Sequence, residues 1–272
     1  MHNSRFSSTF GAIPRRVWLG VPLLVIALVL ATACSGGSSA PTPSVTAATS
    51  SSSASDWRET EYAKIGRLRG GMTFDYFRDV LGTPMFASKS RDGRFTQSLF
   101  QGRDYWVQAV TDAAGTVELM AVSSCDLDFR PRFDGVSGAI PSLGTIVLNE
   151  THLDQVGAQP SKLHYSVGAS ANTHFYDEYS FGNPGNYKTY FVGIDDACPS
   201  ADTAADVVAG FGTSDYREKD FDPSDDVVRT FRTRAVANTY GETGPFADPD
   251  AVSAFQIGAD RILTRTAPPF PQ

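Results

Sequence analysis

The stretch Gly70-Gly71-Met72-Thr73-Phe74-Asp75-Tyr76-Phe77-Arg78-Asp79-Val80-Leu81-Gly82-Thr83-Pro84 decides the fold. Thr73 offers a side-chain oxygen to the free N–H groups of a helix start. Phe74, Phe77, Val80 and Leu81 then fall on one helical face. Gly82-Thr83-Pro84 stops the helix, since glycine takes the left-handed cap and proline cannot continue the hydrogen-bond ladder. The same Gly70-Gly71 pair closes an earlier helix that begins at Asp56-Trp57 and carries Trp57, Tyr62, Ile65 and Leu68. Downstream the period changes from helical to alternating. Strands are expected at Arg94 to Gln101, Tyr105 to Thr111 and Thr116 to Ser123, the last two joined by the turn Asp112-Ala113-Ala114-Gly115.

A looser echo follows. Thr151 is placed to cap a short helix carrying Leu153 and Val156, ended by Gly157-Ala158-Gln159-Pro160, with strands at Leu163 to Val167, His174 to Phe181 and Tyr187 to Ile194. Both copies run into a cysteine, Cys125 and Cys198. Asp222-Pro223-Ser224 opens a last helix with Val227, Val228, Phe231, Ala235 and Val236 as its buried side, stopping near Asn238-Thr239-Tyr240-Gly241. Val252 to Ile257 and Ile262 to Leu263 are candidate edge strands. The expected class is α+β, with one or two αα-βββ modules on antiparallel sheet and a C-terminal helix-strand extension. The expected divisions are 1–33 signal peptide, 34–55 lipidated start and tether, 56–130 first module, and 131–272 second module with the extension, packed as one unit with the first.

From Lys64 to Cys125 the order Gly71-Met72-Thr73, Phe77, Leu81-Gly82-Thr83-Pro84 and three strands resembles the small module of SmpA/OmlA outer-membrane lipoproteins and of β-lactamase-inhibitor-type proteins. The resemblance implies a binding module that presents a sheet face to another protein and performs no chemistry. The anchor, this module, Tyr190 to Gly193 and Asn238-Thr239-Tyr240 together resemble a family of envelope proteins from high-GC Gram-positive bacteria, which implies a location and no activity.

The location is read from the other end of the chain. Arg5, Arg15 and Arg16 precede the uncharged run Val17 to Ala33, the order of an export signal, and Ala31-Thr32-Ala33-Cys34 resembles the lipobox of bacterial lipoproteins. The resemblance implies a diacylglyceryl group on Cys34, since two acyl chains anchor a protein stably where one does not. An uncleaved signal anchor and plain secretion are the alternatives. Ser35 to Ser55 holds nine serines in 21 residues and no charge, so it cannot bury enough surface to fold and reads as a tether.

Cleavage before Cys34 removes three arginines and no acids, taking the formal charge from −7 to −10. That sign opposes binding nucleic acid through a bulk field. With Cys34 assigned to lipid, Cys125 and Cys198 remain, most simply a disulfide in an oxidising compartment. No cofactor or metal is expected. The acids Asp220, Asp222, Asp225 and Asp226 lack the spacing of a calcium loop and read as helix-start residues. Asp126, Asp128, Asp195 and Asp196 read as solvated loop acids.

Neither a His-Glu-x-x-His pair nor a Gly-x-Ser-x-Gly elbow is present. The one dense feature is aromatic: Tyr165, Tyr176, Tyr179, Tyr187 and Tyr190 are candidates for a binding surface, with a tyrosine-rich core as the alternative. The expected function is a non-catalytic, lipid-anchored extracytoplasmic protein that binds an envelope or secreted protein partner. Two alternatives stand beside it. One is an envelope hydrolase using His152, His164 or His174 as base, and the other is a ligand sensor or solute-binding lipoprotein.

Overall fold

Thr73 begins the helix that the opening stretch promises. Its extended backbone and its hydroxyl, which accepts from the Tyr76 amide, cap α2 (Phe74–Leu81), and Gly82 ends the helix at φ 89°. The structure, a computed structural model, describes residues 53–134, 143–167, 173–183, 186–196, 198–211 and 218–258. The signal, Cys34 and nearly all of the tether lie outside the described residues. The first helix, α1 (Ser53–Ile65), starts three residues before Asp56.

The chain is α+β. One antiparallel sheet of nine strands runs in the order β1-β2-β3-β4-β11-β9-β8-β7-β10, beside a two-stranded pair β5-β6. In chain order these are β1 (Phe86–Lys89), β2 (Thr96–Gln101), β3 (Trp106–Thr111), β4 (Val117–Ser123), β5 (Arg132–Asp134) and β6 (Thr145–Val147). There follow β7 (Lys162–Val167), β8 (Thr173–Asn183), β9 (Asn186–Asp195), β10 (Glu218–Phe221) and β11 (Thr239–Thr243). The six alternating segments read from sequence form β2, β3, β4, β7, β8 and β9. They belong to two meanders, β1 to β4 and β7 to β9, whose strands do not pair with each other directly.

What joins them is β11, a strand the sequence reading took for a helix stop. It pairs antiparallel with β4 on one side and with β9 on the other. All five of its residues, Thr-Tyr-Gly-Glu-Thr, are buried. The helix before it, α4 (Asp226–Arg234), is shorter than expected, because Asp222 accepts from the amide and hydroxyl of Ser224 and makes a turn rather than a helix start.

Two side-chain layers cover the sheet. The inner face packs on α1, α2, α4 and β5-β6 through Ile65, Leu68, Phe77, Phe133, Phe175, Val192, Phe231 and Tyr240, with the Phe133 and Tyr240 rings stacked at 4.2 Å. The outer face of the central strands packs Val110, Leu119, Ala121 and Phe191 against Ala251 and Ile257. Ala251 belongs to α5 (Pro249–Ser253), a helix in place of the edge strand expected from Val252; Asp248 caps it by accepting from the Asp250 amide, and Pro249 occupies the first turn. Buried Gln108 on β3 pins the following segment, donating to the Gln256 carbonyl and accepting from the Gly258 amide.

The expected helix at Thr151 is a single 3₁₀ turn, Leu153–Gln155, flanked by extended His152 and Val156. Thr151 instead accepts from the Val147 amide.

Cys125 and Cys198 are disulfide-bonded, with Cα atoms 4.6 Å apart. The bond lies just past the ends of β4 and β9 and so spans β11. Leu99 and Trp106 pack against it, and Phe86 stacks on Trp106. Asn238, wholly buried one residue before β11, completes this junction. Its Nδ2 donates to the Asp195 carbonyl at 2.9 Å and to Ser200 Oγ at 3.1 Å, and its Oδ1 accepts from the Asp195 amide at 2.8 Å.

Candidate functional site

The outer face of β8, β7 and β10 brings together the first group of chemically competent side chains. Strand alternation puts Lys162 and His164 of β7, Tyr176 and Glu178 of β8, and Asp220 of β10 on one side, in cross-strand register. Lys162 Nζ lies 3.4 Å from Glu178 Oε2 and 3.2 Å from Asp220 Oδ2. His164 Nδ1 bonds the other Asp220 oxygen, and its ring lies 4.8 Å from that of Tyr176. Burial works to raise the Asp220 carboxyl, but the hydrogen bonds from His164 and Lys162 outweigh it and hold the group below its usual range. Lys162, His164, Glu178 and Asp220 reach solvent, and with Glu218 of β10, also exposed, the patch carries more acid than base.

The second group is a buried row at the end of the same face nearest the disulfide. Ser166 on β7 pairs in register with His174 on β8, which pairs with Asp195 on β9. Exposures are 1%, 2% and 0%. His174 Nδ1 lies 3.9 Å from Asp195 Oδ2. Neither Ser166 Oγ nor His174 Nε2 has a hydrogen-bond partner among the described residues. Desolvation pushes the His174 imidazole down to about 4 against the pull of Asp196, so at neutral pH the ring is uncharged.

The third group sits at the opposite end of the sheet, on the inner face, where β9 begins and β11 ends. Glu242, almost fully buried, accepts from the Gly70 amide at 3.0 Å, from Lys188 Nζ at 2.9 Å and from the Tyr240 hydroxyl at 2.9 Å. Tyr190 is the register partner of Glu242. Its ring lies 5.6 Å from Lys188 Nζ, and its buried hydroxyl has no hydrogen-bond partner among the described residues. Gly70 reaches this site only because it lacks a side chain: a Cβ there would sit 2.3 Å from the Thr243 carbonyl carbon.

A fourth group is structural. Arg232 of α4 donates to Asp177 Oδ2 at 2.7 Å and to the Leu153 carbonyl at 3.0 Å, and the Tyr179 hydroxyl donates to the same Asp177 oxygen. Burial pushes Asp177 up, against the opposing pull of Arg232 and Tyr179. The network locks α4 and the 3₁₀ turn onto β8.

The tyrosines proposed as a platform are placed otherwise. Tyr165, Tyr179 and Tyr190 point to the inner face and are buried in the core, and Tyr176, on the outer face, is covered by His164 and Phe191. Only Tyr187, 56% exposed, presents its ring to solvent. Alternation identified which residues share a face, but the inner face is roofed by α4 and its neighbours. Asp195, read as a solvated acid, is instead fully buried at the end of β9.

The four C-terminal acids do not gather. Asp220 serves β10, Asp222 its own turn, Asp225 makes no side-chain cap bond, and Asp226 pairs with Arg229. Of the three histidines, His152 donates from Nδ1 to the Thr233 carbonyl at 3.0 Å, tying the 3₁₀ turn to α4. Sequence reasoning passed over Lys162, Ser166, Glu178, Lys188 and Glu242 as site residues. Lys188 could be seen as a charge between the aromatic residues Tyr187 and Tyr190 of an expected strand, whereas Glu242, within Thr-Tyr-Gly-Glu-Thr, gave no such signal.

No family model matches the chain, and no curated protein matches it. Among solved structures it is similar to a cysteine-rich secretory protein from Staphylococcus aureus subsp. aureus Mu50, with 7% identity, 71% of this chain and 50% of that one covered, and a TM-score of 0.33. The chain thus spans half the length of that protein. Among the described residues no helix is long and apolar enough to cross a membrane.

Proposed function

We propose that this is a lipid-anchored extracytoplasmic binding protein, held at the membrane through Cys34, which engages a protein partner through the outer face of β7, β8 and β10. The Cys125–Cys198 disulfide supports an oxidising compartment. The αα helices followed by a meander, with β1 added to the three expected strands, are what an SmpA/OmlA-like module would supply. The observation that carries the reading is the half-exposed array of Lys162, His164, Glu178 and Asp220 in register on a sheet face. Its acidic balance with Glu218 favours a partner presenting basic side chains, because complementary charge steers encounter and rejects wrong partners.

Site-specific photocrosslinkers at Ser180, exposed on this face, and at Asp79, exposed on α2, separate the outcomes in intact membranes. A discrete adduct from position 180 that is absent from position 79 and weakens with salt is expected. Equal, salt-independent labelling from both positions would overturn the binding-face reading. Labelled lipid on a Cys34 peptide tests the anchor separately.

A second reading, an envelope hydrolase, is favoured by the row Ser166, His174 and Asp195, the residue types of a nucleophile, a base and an orienting acid. Its burial speaks against substrate access. A fluorophosphonate that modifies Ser166 in the wild type, but not in His174→Ala, would bring that reading to the front.

A further inference from the structure

We propose that the sheet end formed by Arg69, Lys188 and Tyr190 around Glu242 binds an oxyanion, a carboxylate or phosphate group of a ligand, at a place separate from the β7–β8–β10 face. The reasoning is an accounting of donors. Glu242 takes one N–H from Lys188, one from the Gly70 backbone and the Tyr240 hydroxyl. Lys188 retains two N–H groups beyond that bond. Tyr190, 1% exposed and the register partner of Glu242, has its ring 5.6 Å from Lys188 Nζ, and its hydroxyl has nothing among the described residues to receive or supply a hydrogen bond. Such a buried, unspent hydroxyl costs stability, and a native fold keeps one where a ligand or a bound water satisfies it.

The charges agree. Glu242 offsets Lys188, leaving exposed Arg69, one residue before the Gly70 amide that enters the site. The Arg69 guanidinium donates to the Leu68 carbonyl, and its field reaches the phenols of Tyr190 and Tyr240. The site therefore has net positive character within a chain of net charge −7. Unspent donors around local positive charge select an acceptor-rich anion.

The test is amide NMR of the whole protein titrated with inorganic phosphate, with acetate and, at matched ionic strength, with chloride. Saturable shifts confined to Arg69, Gly70, Lys188 and Tyr190 are expected with phosphate or acetate and absent with chloride. Whichever anion saturates first identifies the phosphate or carboxylate source. Tyr190→Phe gives the decisive arm: it removes only the unspent hydroxyl, so it leaves the melting temperature equal or higher while weakening anion binding at least fivefold. Arg69→Ala weakens binding similarly with the fold intact. Non-saturating shifts, equal responses to chloride, or unchanged affinity in Tyr190→Phe would each overturn the proposal.

Discussion

Asn238→Ala tests the junction on which the whole sheet depends. The amide side chain ties the end of β9 and the turn after Cys198 to the entry of β11, and its own backbone donates to the Gly193 carbonyl and accepts from Ser124. Alanine keeps those backbone bonds but takes the Oδ1 acceptor from the amide of fully buried Asp195, while the Asp195 carbonyl loses one donor and still accepts from the Cys198 amide at 3.1 Å. A stranded buried backbone group costs about 1–3 kcal/mol and the loss of one ordinary bond about 1 kcal/mol, so the total is about 3 kcal/mol. For a domain of this size that corresponds to a melting temperature lower by roughly 6–12 °C, out of a total stability of about 5–15 kcal/mol. Ser200→Ala is the control. It removes one partner of Nδ2 while the bond to the Asp195 carbonyl remains, and costs about 1 kcal/mol. Urea unfolding, followed by tryptophan fluorescence at constant slope, measures both. A loss below about 1 kcal/mol for Asn238→Ala, the range of an ordinary surface change, would refute the reasoning and show that the sheet centre does not rely on this side chain.

Replacing both Cys125 and Cys198 by serine opens a loop whose ends are 73 residues apart; the chain-entropy relation gives a loss of about 4 kcal/mol, read as a fall in the urea midpoint that reductant reproduces in the wild type. The pH dependence follows from His174, whose imidazole is moved from 6.5 down to about 4 by burial. Between those values the unfolded chain binds the extra proton, so the contribution is complete above 6.5 and is lost as pH falls toward 4, by up to about 3 kcal/mol. His174→Leu flattens that part of the stability profile, and a profile identical to wild type would contradict the assignment. Arg232→Met leaves Asp177 buried without its cation, and costs about 3–5 kcal/mol; restoring part of this loss with Asp177→Asn in the same chain checks that the pair, rather than packing of α4, is responsible.

The residues that were legible in the sequence are those whose fate local chemistry decides. Thr73 and Gly82 bound α2 because a cap and a left-handed stop act over one turn of chain. Strands β2, β3, β4, β7, β8 and β9 announce themselves by alternation and turn residues. The Cys125–Cys198 bond follows from cysteine count and export once Cys34 is set aside. Of the candidate site, the sequence made His164, His174 and Asp220 visible as residue types and left their neighbours unassigned.

Only the tertiary structure decided the rest. Thr239 to Thr243 carries one large apolar side chain and no hydrophobic alternation, yet it is the central strand, because the paired backbones of β4 and β9 bury it from both sides. Tyr165, Tyr179 and Tyr190 became core because α4 and its neighbours roof the inner face, whereas on the outer face Tyr176 was covered by His164 and Phe191 and Tyr187 stayed in solvent. Glu242 and Lys188, fifty-four residues apart, met only when β11 entered between the meanders. Local interactions choose helix, strand and turn within a few residues, whereas burial and cross-strand pairing are settled by segments far apart in the chain.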